Sequence, residues 1–320
     1  MEIKTANTGH EGGILNKDCG ADFVKTQQRL PQSMAPHLKP GQRACSLDGD
    51  ADRLIYYYLD GKGAFHMLDG DKIAALVAGF LKELVTGAGL QNKLRGGIGV
   101  VQTAYANGAS TDYLKQVSSC SYPPLFCLTE IGLLSSFKRG YDEDFVPTGV
   151  KHLHHAAQKY AIGVYFEANG HGTVLFSDQA LKDIRDAYES FAGTPAEKTC
   201  LENLLAVVDV INQTVGDALS DALLIEIILA HKVYGGEEWD SLYTDLPNRL
   251  VKVSVPNRGA FVTKPGSAER ELISPEGLQA RVNDLVHKYT KGRSFVRPSG
   301  TEDVVRVYAE ALTRAEADGE

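Results

Sequence analysis

Ile73, Leu76, Val77, Phe80, Leu81 and Leu84 recur at three- and four-residue spacing, which predicts a helix over 71–85 with one buried face. Asp69-Gly70-Asp71 ahead of it offers an N-cap. Short apolar runs predict strands at 54–59, 98–103, 162–166 and 173–176, and residues 43–47 lead into the loop before the first of these. A Gly-Ala-Ser turn and a helix over 111–117 follow the second run, and a helical region broken around Gly216 spans 200–232. Alternating strands and helices of this kind predict α/β layers. Residues 1–43, by contrast, are polar and show little periodicity.

The pattern changes after a junction at 239–249, which contains Asp-Leu-Pro-Asn. Leu250, Val251, Val253 and Val255 alternate as in an edge strand, and an amphipathic helix is predicted over 275–289. Two strands, 294–296 and 304–310, flank a Pro-Ser-Gly turn, giving a small α+β unit.

The 320 residues have a soluble, globular composition and a net charge of −8, which argues against nucleic acid or an anionic membrane as the main partner. Five scattered cysteines without a C-x-x-C pair read as thiols in a reducing compartment. With no apolar signal region at the N-terminus and no membrane-length apolar stretch, the expected location is the cytoplasm.

Four motifs carry chemistry. In Asp48-Gly-Asp50-Ala-Asp52-Arg53, three alternating carboxylates in a short loop can converge on one hard cation, most naturally Mg²⁺. An EF-hand loop would need glycine and a bidentate acid where Arg53 and Leu59 stand, and a phosphatase D-x-D-x-T motif would need threonine at Asp52. Arg53 can grip a phosphate bridged by the metal. Glu167-Ala168-Asn169-Gly-His171 follows an apolar strand, so Glu167 and Asn169 can face sugar hydroxyls or an amide and His171 can shuttle a proton; a glycine-rich hairpin with a satisfied histidine accounts for it equally well.

Arg297-Pro298-Ser299-Gly300-Thr301 offers a guanidinium fork, hydroxyls and close backbone approach to an anion, with Arg306 on the next strand; a tight turn with surface charges is the even alternative. Lys151, in Thr-Gly-Val-Lys-His-Leu-His-His, is a candidate for proton transfer or phosphate contact. The histidines there lack zinc-site spacing and read as a helix start.

In this order, with CGADFVK, LDGDKIA, VVQTAYANG, TGVKHLHH, YTDLPNR and FVRPSGTEDVVRVYAEA, these loops resemble the α-D-phosphohexomutase superfamily, and within it the branch acting on N-acetylglucosamine phosphates. The resemblance implies an α/β, multidomain phosphohexomutase architecture lacking the first domain, with a C-terminal α+β phosphate-binding domain. Residues 1–66 would be the end of the second domain with the metal loop, 67–238 the third domain with the sugar loop, and 239–320 the fourth.

It further implies a monomeric isomerase that moves a phosphoryl group between the 6- and 1-positions of N-acetylglucosamine through a phosphoserine. Asp48, Asp50 and Asp52 would bind Mg²⁺, and Arg53 would attend the phosphoryl group in transit. Glu167, Ala168 and Asn169 would bind the sugar, and Arg297, Pro298, Ser299, Gly300, Thr301 and Arg306 the other phosphate. No Ser-His-Asn occurs in the 320 residues, and residues 119–147 depart from the family pattern. The expectation is therefore a chain without the nucleophile, inactive alone and with a disturbed third domain; the alternative is a non-catalytic phosphosugar-binding isoform.

Overall fold

The computed structural model describes residues 3–10, 14–119, 142–300 and 302–319. Thr301 and most of residues 119–147 lie outside these residues. The polar N-terminal stretch forms one helix, α1 (Gly20–Gln27), which the sequence pattern did not suggest. It is followed by β1 (Arg43–Leu47), β2 (Leu54–Leu59) and β3 (Phe65–Leu68). These strands form an antiparallel sheet in the order β1-β2-β3.

β2, LIYYYL, is buried almost throughout because both its faces are covered. Its alternate residues separate by the two-residue strand period. Leu54, Tyr56 and Tyr58 enter the main core, whereas Ile55 and Tyr57 pack with Ala21, Val24 and Leu38 around α1.

The second unit begins with α2 (Gly70–Gly87), whose first amides at Asp71 and Lys72 are accepted by the Asp69 carboxylate as expected of an N-cap. Next come β4 (Ile98–Thr103) and α3 (Gly108–Ser119). Helix α3 starts three residues earlier than predicted, because Asn107 Oδ1 accepts from Ala109 N at 3.0 Å and turns the Gly-Ala-Ser turn into the first helical turn. Then follow β5 (Asp142–Val146), α4 (Val150–Ala157), β6 (Ile162–Phe166) and β7 (Gly172–Phe176). The sheet runs β5-β4-β6-β7, with parallel pairing except between β6 and β7.

The predicted 200–232 region resolves into α6 (Pro195–Val210) and α7 (Ala218–Lys232), preceded by α5 (Asp178–Glu189) and followed by α8 (Gly236–Asp240). Helices α2, α6 and α7 share the main core with β2, β4 and β6, while Leu153, Ala156 and Ala157 of α4 pack with Val101, Tyr165 and Leu175. No helix among the described residues is long and apolar enough to cross a membrane.

The C-terminal unit contains β8 (Asn248–Ser254), β9 (Val262–Thr263), β10 (Leu272–Ser274), α9 (Leu278–Val286), β11 (Arg293–Pro298), β12 (Val304–Glu310) and α10 (Arg314–Asp318). Its main sheet has the order β11-β12-β8, so the strand predicted at the edge is at the edge. The unit docks onto the loop after β4. Arg293 donates to Ala104 O (2.9 Å) and Ala106 O (2.6 Å), and the buried Glu310 carboxylate accepts from Gly108 N at 3.0 Å. Asn107 and Leu246 exchange two hydrogen bonds of 2.9 and 3.0 Å, pinning the junction to the same loop. Hydrogen bonds to charged groups are the stronger kind, and this set fixes how the phosphate-motif strands face the rest of the chain.

Candidate active site

The acidic motif is the hairpin loop between β1 and β2, closed by the Leu47–Leu54 pair. Asp48 ties it shut: its Oδ1 accepts from Asp52 N at 3.0 Å and Arg53 N at 3.1 Å. Ala51 has φ +56°, the left-handed turn that such a tight loop requires. Asp48, Asp50 and Asp52 each present one carboxylate oxygen within 4.8 Å of the others.

The donor set suits a hard divalent cation. Three acidic oxygens converge, Asp48 is largely buried, and Asp52 Oδ1 is buried with no hydrogen-bond partner among the described residues. Arg53 Nε lies 3.7 Å from both Asp48 and Asp52, and its Nη1 donates to Asp22 of α1 at 2.9 Å. Asp22 is an unanticipated member of the site, drawn from the quoted CGADFVK stretch.

The Glu-Ala-Asn-Gly-His motif is the turn joining β6 and β7. Glu167 N donates to His171 O, and Gly170 N donates to Glu167 O, both at 2.8 Å. This turn lies directly on the acidic hairpin. Arg53 and His171 form an isolated antiparallel bridge, Leu54 N donates to Gly170 O at 3.2 Å, and His171 Nδ1 sits 3.3 Å from Asp52 Oδ2. Asn169 Nδ2 donates to Glu167 Oε2 at 3.3 Å, so these two side chains stand together as their alternation suggested. Ala168 between them is half-buried.

Glu167 Oε1 accepts from Gly149 N at 3.1 Å, which draws in the Thr148-Gly149 turn before α4. Lys151, one residue into α4, is exposed. Of the neighbouring histidines, His152 and His155 are exposed and His154 is hydrogen-bonded to Tyr165 Oη at 2.9 Å, in keeping with a helix start. The three aspartates form the metal-compatible acidic cluster found among the described residues.

Below these loops lies a buried charge cluster that the motif reading left out. Gly70 packs so closely that a Cβ there would come within 1.8 Å of Glu167 O. On either side of Gly70, Asp69 pairs with Lys25 of α1, and Asp71 accepts from Asn107 N at 2.8 Å. Burial and the neighbouring Asp69 raise the Asp71 pKa well above the carboxylate range and push Asp245 up to about 7. Burial alone would lower Lys25, but Asp69 overrides it and raises that pKa.

In the phosphate motif, Arg297, Arg306 and Lys252 stand opposite one another across β11, β12 and β8. Like charges placed directly opposite repel, so each member of the row is stabilised by a nearby negative charge. Arg306 Nε is buried with no hydrogen-bond partner among the described residues. Lys252 pairs with Glu302 at 3.3 Å, while Arg297 donates to Tyr105 Oη at 2.8 Å and to Glu269 Oε1 at 3.3 Å. Ser299 is buried, with its amide spent on Val304 O at 2.9 Å; Gly300 is exposed, and Pro298 pairs with Val305 within the sheet. Tyr105 and Glu269 are far from Arg297 in sequence, and nothing in the local pattern points to Glu269.

A carboxylate hairpin, a Glu-Ala-Asn-Gly-His turn lying on it and a cationic strand row linked to both by hydrogen bonds are the arrangement expected of the α-D-phosphohexomutase class. The family models agree: residues 69–127 and 136–234 match phosphoacetylglucosamine mutase AMG1, domain III; residues 5–55 match domain II of the same family; and residues 250–319 match the phosphoglucomutase/phosphomannomutase C-terminal domain. The chain belongs to the phosphoacetylglucosamine mutase family.

It is 49% identical to the mouse and human phosphoacetylglucosamine mutases over 99% of its length, covering 53% of each. It is also similar to the Aspergillus fumigatus N-acetylphosphoglucosamine mutase solved in complex with GlcNAc-6P and magnesium. That match has a TM-score of 0.83 and 50% identity, over 95% of this chain and 55% of that one. The chain thus spans about half the length of the curated relatives it matches.

Proposed function

We propose that this chain supplies the metal-, sugar- and phosphate-binding parts of a phosphoacetylglucosamine mutase, in the cytoplasm and as a monomer. Residues 1–66, 67–238 and 239–320 then correspond to the end of its second domain, its third domain and its fourth domain. The substrates are N-acetylglucosamine 6-phosphate and the 1-phosphate. The observation that carries this reading is the row of Arg297, Arg306 and Lys252, whose central guanidinium leaves a buried Nε unpartnered among the described residues. Glu269 and Glu302 partner the outer two cations, and the central Arg306 is left to attract an anion such as a sugar phosphate.

Phosphoryl transfer asks a protein mainly for positioning and charge neutralisation. Arg297 and Arg306 hold the phosphate that is not transferred, with Ser299 and Gly300 in the turn beside them. Glu167 and Asn169 hold sugar hydroxyls, which fixes the ring between the two ends of the site. Arg53 neutralises the group in transit. Asp48, Asp50 and Asp52 would hold Mg²⁺, which supplies further charge neutralisation at that end. His171, against Asp52, is placed to hold a proton near the reacting hydroxyl. Gripping the far phosphate at a place apart from the reacting end lets one site accept the sugar in either orientation. The 320 residues contain no Ser-His-Asn loop. In this reading they bind and orient the sugar phosphate and do not turn it over by themselves.

Arg297→Ala should weaken binding of both N-acetylglucosamine 6-phosphate and the 1-phosphate by about ten- to a hundredfold, the worth of a charged hydrogen-bond set. Calorimetric titration of the two sugars into wild-type and variant chains checks this. Equal affinities in the two chains would remove the reading.

A further inference from the structure

We propose that Glu269 is a positioning residue that orients Arg297 for the substrate phosphate and ties it to the turn holding the sugar-binding Glu167. This deepens the reading of the site given above and rests on it.

Glu269 divides its carboxylate between two units of the fold. Oε1 accepts from Arg297 Nη1 at 3.3 Å, and Oε2 accepts from Thr148 N at 3.0 Å. The residue after Thr148, Gly149, gives its amide to Glu167 Oε1 at 3.1 Å. From Glu167 the contacts continue through Asn169 Nδ2 at 3.3 Å and from Asn169 Oδ1 to His171 N at 3.0 Å. They end at the 3.3 Å approach of His171 Nδ1 to Asp52. Polar contacts, joined through the Thr148-Gly149 turn, therefore run from Arg297 to the acidic hairpin, and Glu269 is the link that crosses between the C-terminal unit and the sugar-loop unit.

The backbone around Glu269 is held in an unfavourable form. Ala268 and Glu269 are consecutive non-glycine residues in the left-handed region, at φ +52° and +63°. Such residues persist only where the surroundings over-determine them. Here the surroundings include Arg270, whose guanidinium lies 4.4 Å from the Phe145 ring centroid, and Ala268, which is buried. The strain places Glu269 where one carboxylate meets both donors. With Tyr105 Oη on Nε at 2.8 Å and Glu269 on Nη1, the guanidinium plane is fixed from two sides. A planar fork fixed in advance loses less freedom when it meets a phosphate.

The test is a double-mutant cycle on the affinity of the full chain for N-acetylglucosamine 6-phosphate. Glu269→Ala is expected to weaken binding about tenfold, with Mg²⁺ affinity kept close to wild type. In the Arg297→Ala background the same change should add almost nothing, because Glu269 acts through that arginine. A merely structural role would instead add its full loss in both backgrounds.

If Glu269→Ala does not fold, Glu269→Gln decides: an amide satisfies one of the two donors, so affinity should still fall. Wild-type or tighter affinity in either Glu269 variant, or a full additive loss on top of Arg297→Ala, overturns the inference and leaves the site reading standing. No binding by the wild-type chain, or no effect of Arg297→Ala alone, overturns both.

Discussion

Gly170→Ala is expected to destabilise the chain by roughly 3–5 kcal/mol, joining the cost of a left-handed non-glycine residue to that of overpacking. Gly170 has φ +87°, and a Cβ there would lie 1.9 Å from Leu54 O and 2.6 Å from Leu54 C. Neither atom can move aside easily, because Leu54 is fully buried and paired with Leu47 at the closing rung of the acidic hairpin. The damage should therefore reach function as well as stability. Pushing the sugar-loop turn off β2 breaks the Arg53–His171 bridge and separates His171 from Asp52. Urea denaturation with linear extrapolation reads the first effect, and Mg²⁺ titration of the folded fraction reads the second. A loss below about 1 kcal/mol, the size of an ordinary substitution, would show that the two loops are not held in this contact.

Asp48→Asn should cost more Mg²⁺ affinity than the roughly 10–100-fold typical of an outer-shell partner. Asp48 would be ligand and clasp together: one oxygen holds the Asp52 and Arg53 amides while the side chain contributes to the converging carboxylates. An amide keeps the acceptor for those N–H groups but removes the charge, so the fold is preserved and the loss falls on the cation. Asp50 is exposed and has no such second role, so Asp50→Asn should lose less than Asp48→Asn. Isothermal titration of Mg²⁺ into the three chains orders them, and equal affinity of wild type and Asp48→Asn would contradict the assignment of the loop.

How much of this was legible from the sequence differs with the range of the interactions. Helix α2 and strands β4 and β6 follow from local periodicity, since each buries a face or a whole strand in the main core. Helix α1 did not show in the pattern. Its buried side is only Gly20, Ala21 and Val24, too small a patch to stand out in a polar stretch. Helix α5 was hidden for a similar reason: Ala180 and Ile184 are its buried residues, among many charged ones.

The carboxylates and arginines of the site were visible because their chemistry is carried by contiguous motifs. What orients them was not. Tyr105, Asp22 and Glu269 reach Arg297 and Arg53 through tertiary contacts, and the spacing along the chain says nothing of those contacts. The cluster of Lys25, Asp69, Asp71 and Asp245 belongs to the same class, because its members become neighbours only when the junction packs against α1 and α2.

The central claim is that the three loops form one phosphosugar site that accepts the substrate in two orientations. The most direct measurement is a competition titration, in which the chain is saturated with N-acetylglucosamine 6-phosphate and then titrated with the 1-phosphate. A single equivalent of sugar should be bound throughout, with the 1-phosphate displacing the 6-phosphate. Two equivalents bound together, or no displacement at saturation, would contradict it.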